Sequence, residues 1–410
     1  MKNENELQLS YPSSLLPNQM IHVFLVRYNA FNREKLKFLH QMFQIEKNET
    51  GQASIEMKKI NKSLFRAPLL IVGLALFLNS CFDSNTTKNS KNDDTKTTVY
   101  PSDVIEFMDD WSVLTGDGTR TEELANYEQK DFFYVSNDGE TDWVVYKTPN
   151  AGITSKNSSN TRTELGQKKH WIPKMGGKLS GTLKVMHVST SGDARVAASY
   201  SVVVGQIHSD DGHENEPLKI FYKKFPGHTK GSVFWNYEIN TEGDNSKRWD
   251  YSTAVWGNDM SVIGSSPNAY PEEPKEGIEI GEEFSYEINV YKGIMHLTFM
   301  SEGHKTMKFT KNLLKSEFTS NETIPEQIAT MYASIARDGT ERPDAYTGEL
   351  QFFKQGAYNQ TNGKNPEDNI VWNTGSKTYD GDIAKQYANG SYTEVWFKQG
   401  TIGAGTDPNK

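Results

Sequence analysis

The chain has 410 residues, 24% of them charged, and a formal net charge of −9. That length allows one large or two medium domains with a substantial core. The acidic balance and the lack of any Lys/Arg-rich run exclude general nucleic-acid binding, and an anionic polymer partner would require a locally basic cleft. A single cysteine, Cys81, excludes an intramolecular disulfide framework and a Cys-based zinc cluster.

Cys81 closes a patterned segment. Lys58, Lys59, Lys62 and Arg66 precede an apolar run from Ala67 to Leu78, followed by Leu78-Asn79-Ser80-Cys81. A basic region, a short apolar region and a small residue before the cut are the order of a signal peptide. The run falls short of the ~20 residues that span a bilayer, so residues 57–80 read as a processed signal rather than a retained helix. Leu-Asn-Ser-Cys resembles a bacterial lipobox, with Asn79 where a small apolar residue is usual. The resemblance implies lipidation of Cys81, hence a membrane anchor and an outer-membrane or cell-surface location, with release to the extracellular space as the alternative. A signal peptide acts from an N-terminus, so Met57 reads as the true start. Residues 1–56 then form an upstream extension outside the mature protein, a small N-terminal domain being the alternative.

Residues 81–98 are mostly Ser, Thr, Asn, Asp and Lys, too polar to offset their ordering entropy, and read as a flexible tether. From 99 to 403 the texture changes to short alternating apolar runs separated by Gly, Asn, Asp and Pro clusters, without a long helical period. Strands are expected over Lys178 to Val188, Arg195 to His208, Leu218 to Phe225, Met331 to Ala336 and Leu350 to Tyr358. Phe284, Tyr286, Ile288 and Val290 share one face of a further strand, and after Tyr291-Lys292-Gly293 the chain resumes at Ile294 as a hairpin. Many strands without alternating helices predict an all-β jelly-roll sandwich with a groove on its concave sheet. The Gly-, Asn-, Pro- and Glu-rich stretch from Trp256 to Gly281 reads as a long loop walling off one end of that groove.

In three segments polar and ionisable residues interrupt strands at every second position. Arg162 and Glu164 share one side of Asn160-Thr-Arg-Thr-Glu-Leu165. Val202, Val204, Gln206 and His208 share a parity, so that strand's apolar face is expected to turn polar towards its end. Lys354, Tyr358 and Gln360 are in phase in the third. Singly, each segment reads better as a surface ion pair or a structural histidine than as a site.

Together, Arg162-Thr-Glu-Leu-Gly166, Gln206-Ile207-His208 and Phe352-Phe-Lys-Gln-Gly-Ala-Tyr358-Asn-Gln360 resemble, in order, the three signatures of polysaccharide lyase family 7, the alginate lyases. Gly166 stands where the family has a second Arg, Phe352 where it has Tyr, and Gln355 where it has Ala. The resemblance implies β-elimination of a 1,4-linked polyuronate, giving 4,5-unsaturated products. It assigns His208 as the base for guluronate and Tyr358 as the acid at O4, or as both acid and base for mannuronate. Arg162 and Gln206, with His208 or Lys354, would bind the substrate carboxylate and stabilise the developing charge, Lys354 and Gln360 would contact substrate, and Glu164 would touch substrate or hold Arg162 in place. A phenol ionises only near pH ~10, so a base role for tyrosine requires nearby cations. Ile207 gives a lean to guluronate-containing blocks.

The alternatives are a carbohydrate-binding jelly roll without catalysis and a lyase for another polyuronate such as glucuronan. The elimination demands no cofactor; acidic loops leave room for a structural Ca²⁺, but no ligand pattern specifies one. Alginate is the expected partner, and nothing in the chain calls for more than a monomer.

Overall fold

The computed structural model describes residues 43–47, 53–57, 99–154, 158, 160–210, 216–241, 244–314, 350–361, 363–365, 370–371 and 382–410. Nearly all of the expected signal peptide, with Cys81, the tether and the strand expected over Met331 to Ala336, lies outside them. The chain forms two compact units, Met1–Asp94 and Thr95–Lys410. In the first, β1 (Phe43–Lys47) pairs antiparallel with β2 (Ala53–Met57).

The second unit opens with helix α1 (Pro101–Val104), then β3 (Trp111–Leu114), β4 (Arg120–Thr121), β5 (Phe133–Asn137), β6 (Asp142–Pro149), β7 (Arg162–Gln167) and β8 (Gly177–His187). It continues through β9 (Ser201–Ser209), β10 (Glu216–Lys223), β11 (Lys230–Thr241), β12 (Asp244–Trp256) and β13 (Ile278–Glu279). The hairpin β14 (Glu283–Tyr291) and β15 (Ile294–Ser301) follows, then β16 (Met307–Asn312) and β17 (Gln351–Asn359). Short β18 (Gly363–Asn365) and β19 (Ile370–Val371), helix α2 (Ile383–Ala388) and β20 (Tyr392–Gly403) complete it. Among the described residues no helix is long and apolar enough to cross a membrane.

Two antiparallel sheets make the sandwich. One runs β12-β11-β10-β9-β17-β7-β3-β4, with β13 added on β11; the other runs β16-β15-β14-β8-β20-β6-β5. Phe284, Tyr286, Ile288 and Val290 of β14 share one buried cluster with Val204 and Ile207 of β9 and Phe353 and Ala357 of β17. Burying each large apolar side chain contributes roughly 1.5–3 kcal/mol. Glycine lets the sheets approach: a Cβ at Gly205 would lie 2.6 Å from Tyr286 Oη. Tyr286 donates to the Val204 carbonyl at 3.2 Å and accepts from Gln355 Nε2 at 2.8 Å, so a polar bridge crosses the core without an unpaired group.

The β14–β15 hairpin matches the sequence reading. The strand expected from Arg195 starts instead at Ser201, because Asp193 turns the chain. Its carboxylate accepts from the Arg195 backbone at 2.9 Å and from the guanidinium at 3.0 and 2.7 Å.

The expected parity of β9 also fails. Val202 and Val204 lie in the core with Ile207, whereas Val203 packs on the opposite face beside Tyr358. Gly205 pairs with Ile220 but Val203 with Phe221, so an extra residue bulges from β9 at Val204 and reverses the alternation ahead of Gln206 and His208.

Candidate active site

The outer face of the larger sheet carries the three singled-out segments on neighbouring strands. Residues paired across a ladder point to the same face. Gln206 of β9 pairs with Lys354 of β17 and with Lys219 of β10, and Lys354 pairs with Gly166 of β7. The adjacent rows hold Gly356 opposite Glu164, Tyr358 opposite Arg162, and His208 opposite Phe352. Topology therefore brings Arg162, Glu164, Gln206, His208, Lys354 and Tyr358 into one patch.

Glu164 is buried at its centre. Its Oε1 accepts from Gln206 Nε2 at 2.5 Å; its Oε2 lies 3.3 Å from Arg162 Nη1 and 3.7 Å from Lys354 Nζ. Arg162 Nη2 donates to Ser158 at 2.6 Å, and the guanidinium carbon sits 3.7 Å from the Tyr358 ring centroid, a cation–π distance. The arrangement fixes three groups through one carboxylate and sets a permanent cation against the phenol.

Tyr358 is aimed by Gly356. That glycine has φ +148°, and a Cβ there would lie 2.6 Å from the Thr163 carbonyl oxygen. Here β17 carries one extra residue against β9, so a bulge turns the end of the strand. Beyond Tyr358 the face is apolar: Val203, Phe221 and Phe234 pack together, Phe221 and Phe234 stacked 4.9 Å apart, with Met260 of the 257–277 loop against them. Gln360 lies just past the end of β17, where its Nε2 donates to the Tyr358 carbonyl at 3.5 Å.

His208 is partly exposed, its side chain 24% accessible. Nδ1 lies 2.5 Å from the Ser209 carbonyl, which can only accept, so the hydrogen sits on Nδ1 and Nε2 keeps its lone pair. Burial, then the Lys354 cation, pushes the imidazole down to about 4. Burial and the neighbouring Arg162 push the Lys354 ammonium down to about 8. At neutral pH the histidine is a free base beside fixed cations.

Some groups at the site escaped sequence reasoning. Lys219 of β10 and Glu238 of β11 are buried charged side chains, and half-buried Glu216 of β10 joins them to His208. Arg120 pairs across from Leu114, itself opposite Glu164, so it stands on the groove face at the sheet edge. A Cβ on Gly166 would meet only Ser112 Oγ, at 3.6 Å, so the floor between Arg120 and Lys354 is open. Trp143, Trp235, Trp256 and Tyr222, aromatic side chains large enough to stack on a sugar, are all buried. Among the described residues no three or more His, Cys, Asp or Glu side chains gather as a metal site.

An antiparallel sandwich with a histidine, a tyrosine and an arginine in register on a cation-bearing face defines a class, the jelly-roll polysaccharide lyases. The alginate lyase family matches residues 105–404, most of the chain, and the chain belongs to that family. A solved exolytic PL7 alginate lyase from Zobellia galactanivorans is 76% identical, covers 75% of this chain and 99% of its own, and superposes with a TM-score of 0.68. A curated alginate lyase of Klebsiella pneumoniae is 28% identical over 274 residues, 60% of this chain and 76% of that protein. The crystal structure of the alginate lyase from Klebsiella pneumoniae, at 24% identity and a TM-score of 0.52 over 76% of this chain and all of its own, shares the fold. The chain is thus an alginate lyase, and the reading as a binding module without catalysis falls away.

Proposed function

We propose that the protein removes units from alginate chain ends by β-elimination. In this reading Arg162, Gln206 and Lys354 bind the uronate carboxylate, His208 Nε2 takes the C5 proton, and the Tyr358 hydroxyl protonates O4. The C5–H bond breaks as Nε2–H forms, its electron pair becomes the C4=C5 bond, and the C4–O4 bond breaks onto the proton from Tyr358. The imidazolium then returns a proton through solvent to the phenolate. The carboxylate activates C5–H only once its charge is neutralised, and each well-placed donor supplies on the order of 3 kcal/mol to the developing enolate. For mannuronate, whose C5 is inverted, Tyr358 beside Arg162 serves as both base and acid. The elimination requires no cofactor.

The observation that supports this reading is the set of ladder pairs Gln206–Lys354, His208–Phe352 and Tyr358–Arg162 on one face of the sheet. Glu164 acts through the three groups it holds rather than on the sugar, since another anion beside a uronate opposes binding. Arg120 reaches over the open floor at Gly166 as a further carboxylate contact; Gln360 acts at most on the apolar side.

Exolysis is supported by the exolytic relative and by Met260, whose loop packs over the apolar end beside Tyr358. Guluronate-containing blocks are the proposed preference. Residues 57–80 are proposed to be cleaved and Cys81 lipidated, placing the enzyme on the outer membrane or cell surface as a monomer. Sizing the products early in digestion tests the mode: only the smallest unsaturated products are expected, and long oligomers would overturn it. Palmitate labelling of the wild type, lost in Cys81→Ser, tests the anchor; equal labelling of both would reject it.

A further inference from the structure

The chemistry above leaves three charged groups near His208 without a task, Lys219 and Glu238 buried and Glu216 half-buried. Glu216 and Glu238 face each other across β10 and β11, and Lys219 Nζ binds both, Glu216 Oε2 at 2.7 Å and Glu238 Oε2 in a shorter contact. The other Glu216 oxygen, Oε1, lies 3.6 Å from His208 Nε2. That distance exceeds a hydrogen bond, as expected while Nε2 has no hydrogen to give. Nε2 is the nitrogen left basic by the Nδ1 contact with Ser209.

We propose that Glu216 is a positioning residue for proton transfer: clamped by Lys219, it stabilises the imidazolium formed when His208 takes the C5 proton. The inference rests on His208 being the base. Lys354 of β17 and Arg162 of β7 face the imidazole with positive charge and oppose its protonation, while Glu216 favours it. Glu164 is engaged with Arg162, Lys354 and Gln206. Glu238 is held with Lys219, and His170, paired to Asp210 at 2.8 Å, is separated from His208 by the Phe352 ring. Glu216 is thus the carboxylate placed to compensate the cations on which substrate binding depends. Without it the base would gain its proton facing the Lys354 and Arg162 cations without its nearest carboxylate.

The experiment is steady-state turnover of alginate across pH by the full chain and its Glu216→Gln, Glu216→Asp and His208→Ala variants, with thermal melts. Glu216→Gln is expected to lower kcat about tenfold with little change in KM, a part of the roughly 10²–10⁴-fold that a general base contributes. It should also move the acid limb of the rate profile to lower pH, and Glu216→Asp should recover part of both. A ring-proton NMR titration of His208, assigned by its loss in His208→Ala, should show the same displacement even where turnover is too weak to measure. An inactive His208→Ala beside a Glu216→Gln with unchanged kcat and acid limb would overturn the Glu216 assignment alone. Full activity in His208→Ala would overturn the base assignment and this one with it.

Discussion

Glu164 shows how much the site depends on single contacts. Glu164→Gln keeps the hydrogen bond with Gln206 within reach but removes the anion that Arg162 and Lys354 share. Breaking one partner of a buried ion pair costs about 3–5 kcal/mol, so the variant should melt several degrees lower. Its KM should also rise as Arg162 and Lys354 lose their positions. An unchanged melt and KM would mean that Glu164 holds neither. Two titrations bound the working range. In the proposed mechanism His208 must be neutral to accept a proton, and it is pushed down to about 4; Lys354 must be charged to neutralise a carboxylate, and it is pushed down to about 8. In the free enzyme kcat/KM should therefore fall below the first value and above the second, a bell read from initial rates across pH. A profile still rising above pH ~9 would contradict the role given to Lys354.

At the scale of elements, the bulges in β9 and β17 decide which residues reach the groove. Gly356→Ala places a methyl group 2.6 Å from the Thr163 carbonyl in a backbone conformation that L side chains rarely adopt. It should destabilise the fold by at least about 1–3 kcal/mol and lower kcat by displacing Tyr358. Wild-type melting and turnover in that variant would remove the bulge from the account. Arg120→Ala at the sheet edge should raise KM several-fold with kcat nearly intact, because it lies beyond the reacting groups.

These elements also mark what could be read in advance. The jelly-roll class and the β14–β15 hairpin follow from alternation, and the three polar segments were visible because ionisable residues interrupt apolar strands. The side-chain parity of β9 was not legible, since a bulge at Val204 leaves no mark in a run of valines. Glu216 and Lys219 read as ordinary solvated strand charges until β9 and β11 cover them, and Arg120 sits on a two-residue strand too short to give a period. Gln360 lies two residues past Tyr358 and bonds to its carbonyl.

For the whole molecule, a net charge of −9 must coexist with a polyanionic substrate. Arg162, Lys354 and Arg120 concentrate positive charge on one face, so attraction is local and short-ranged. Raising the salt concentration should increase KM for polymer more than for short oligomers, measured by initial rates at several ionic strengths. Equal responses would point to contacts at the reacting uronate alone.

The most direct test of the account is near-ultraviolet absorbance during incubation with polyguluronate and polymannuronate, comparing wild type, Tyr358→Phe and His208→Ala. Elimination creates an absorbing C4=C5 bond that hydrolysis does not. The account predicts a rise with wild type, faster on polyguluronate, abolished on both substrates by Tyr358→Phe, and abolished by His208→Ala on polyguluronate. A Tyr358→Phe enzyme that still generates the chromophore at the wild-type rate would contradict it.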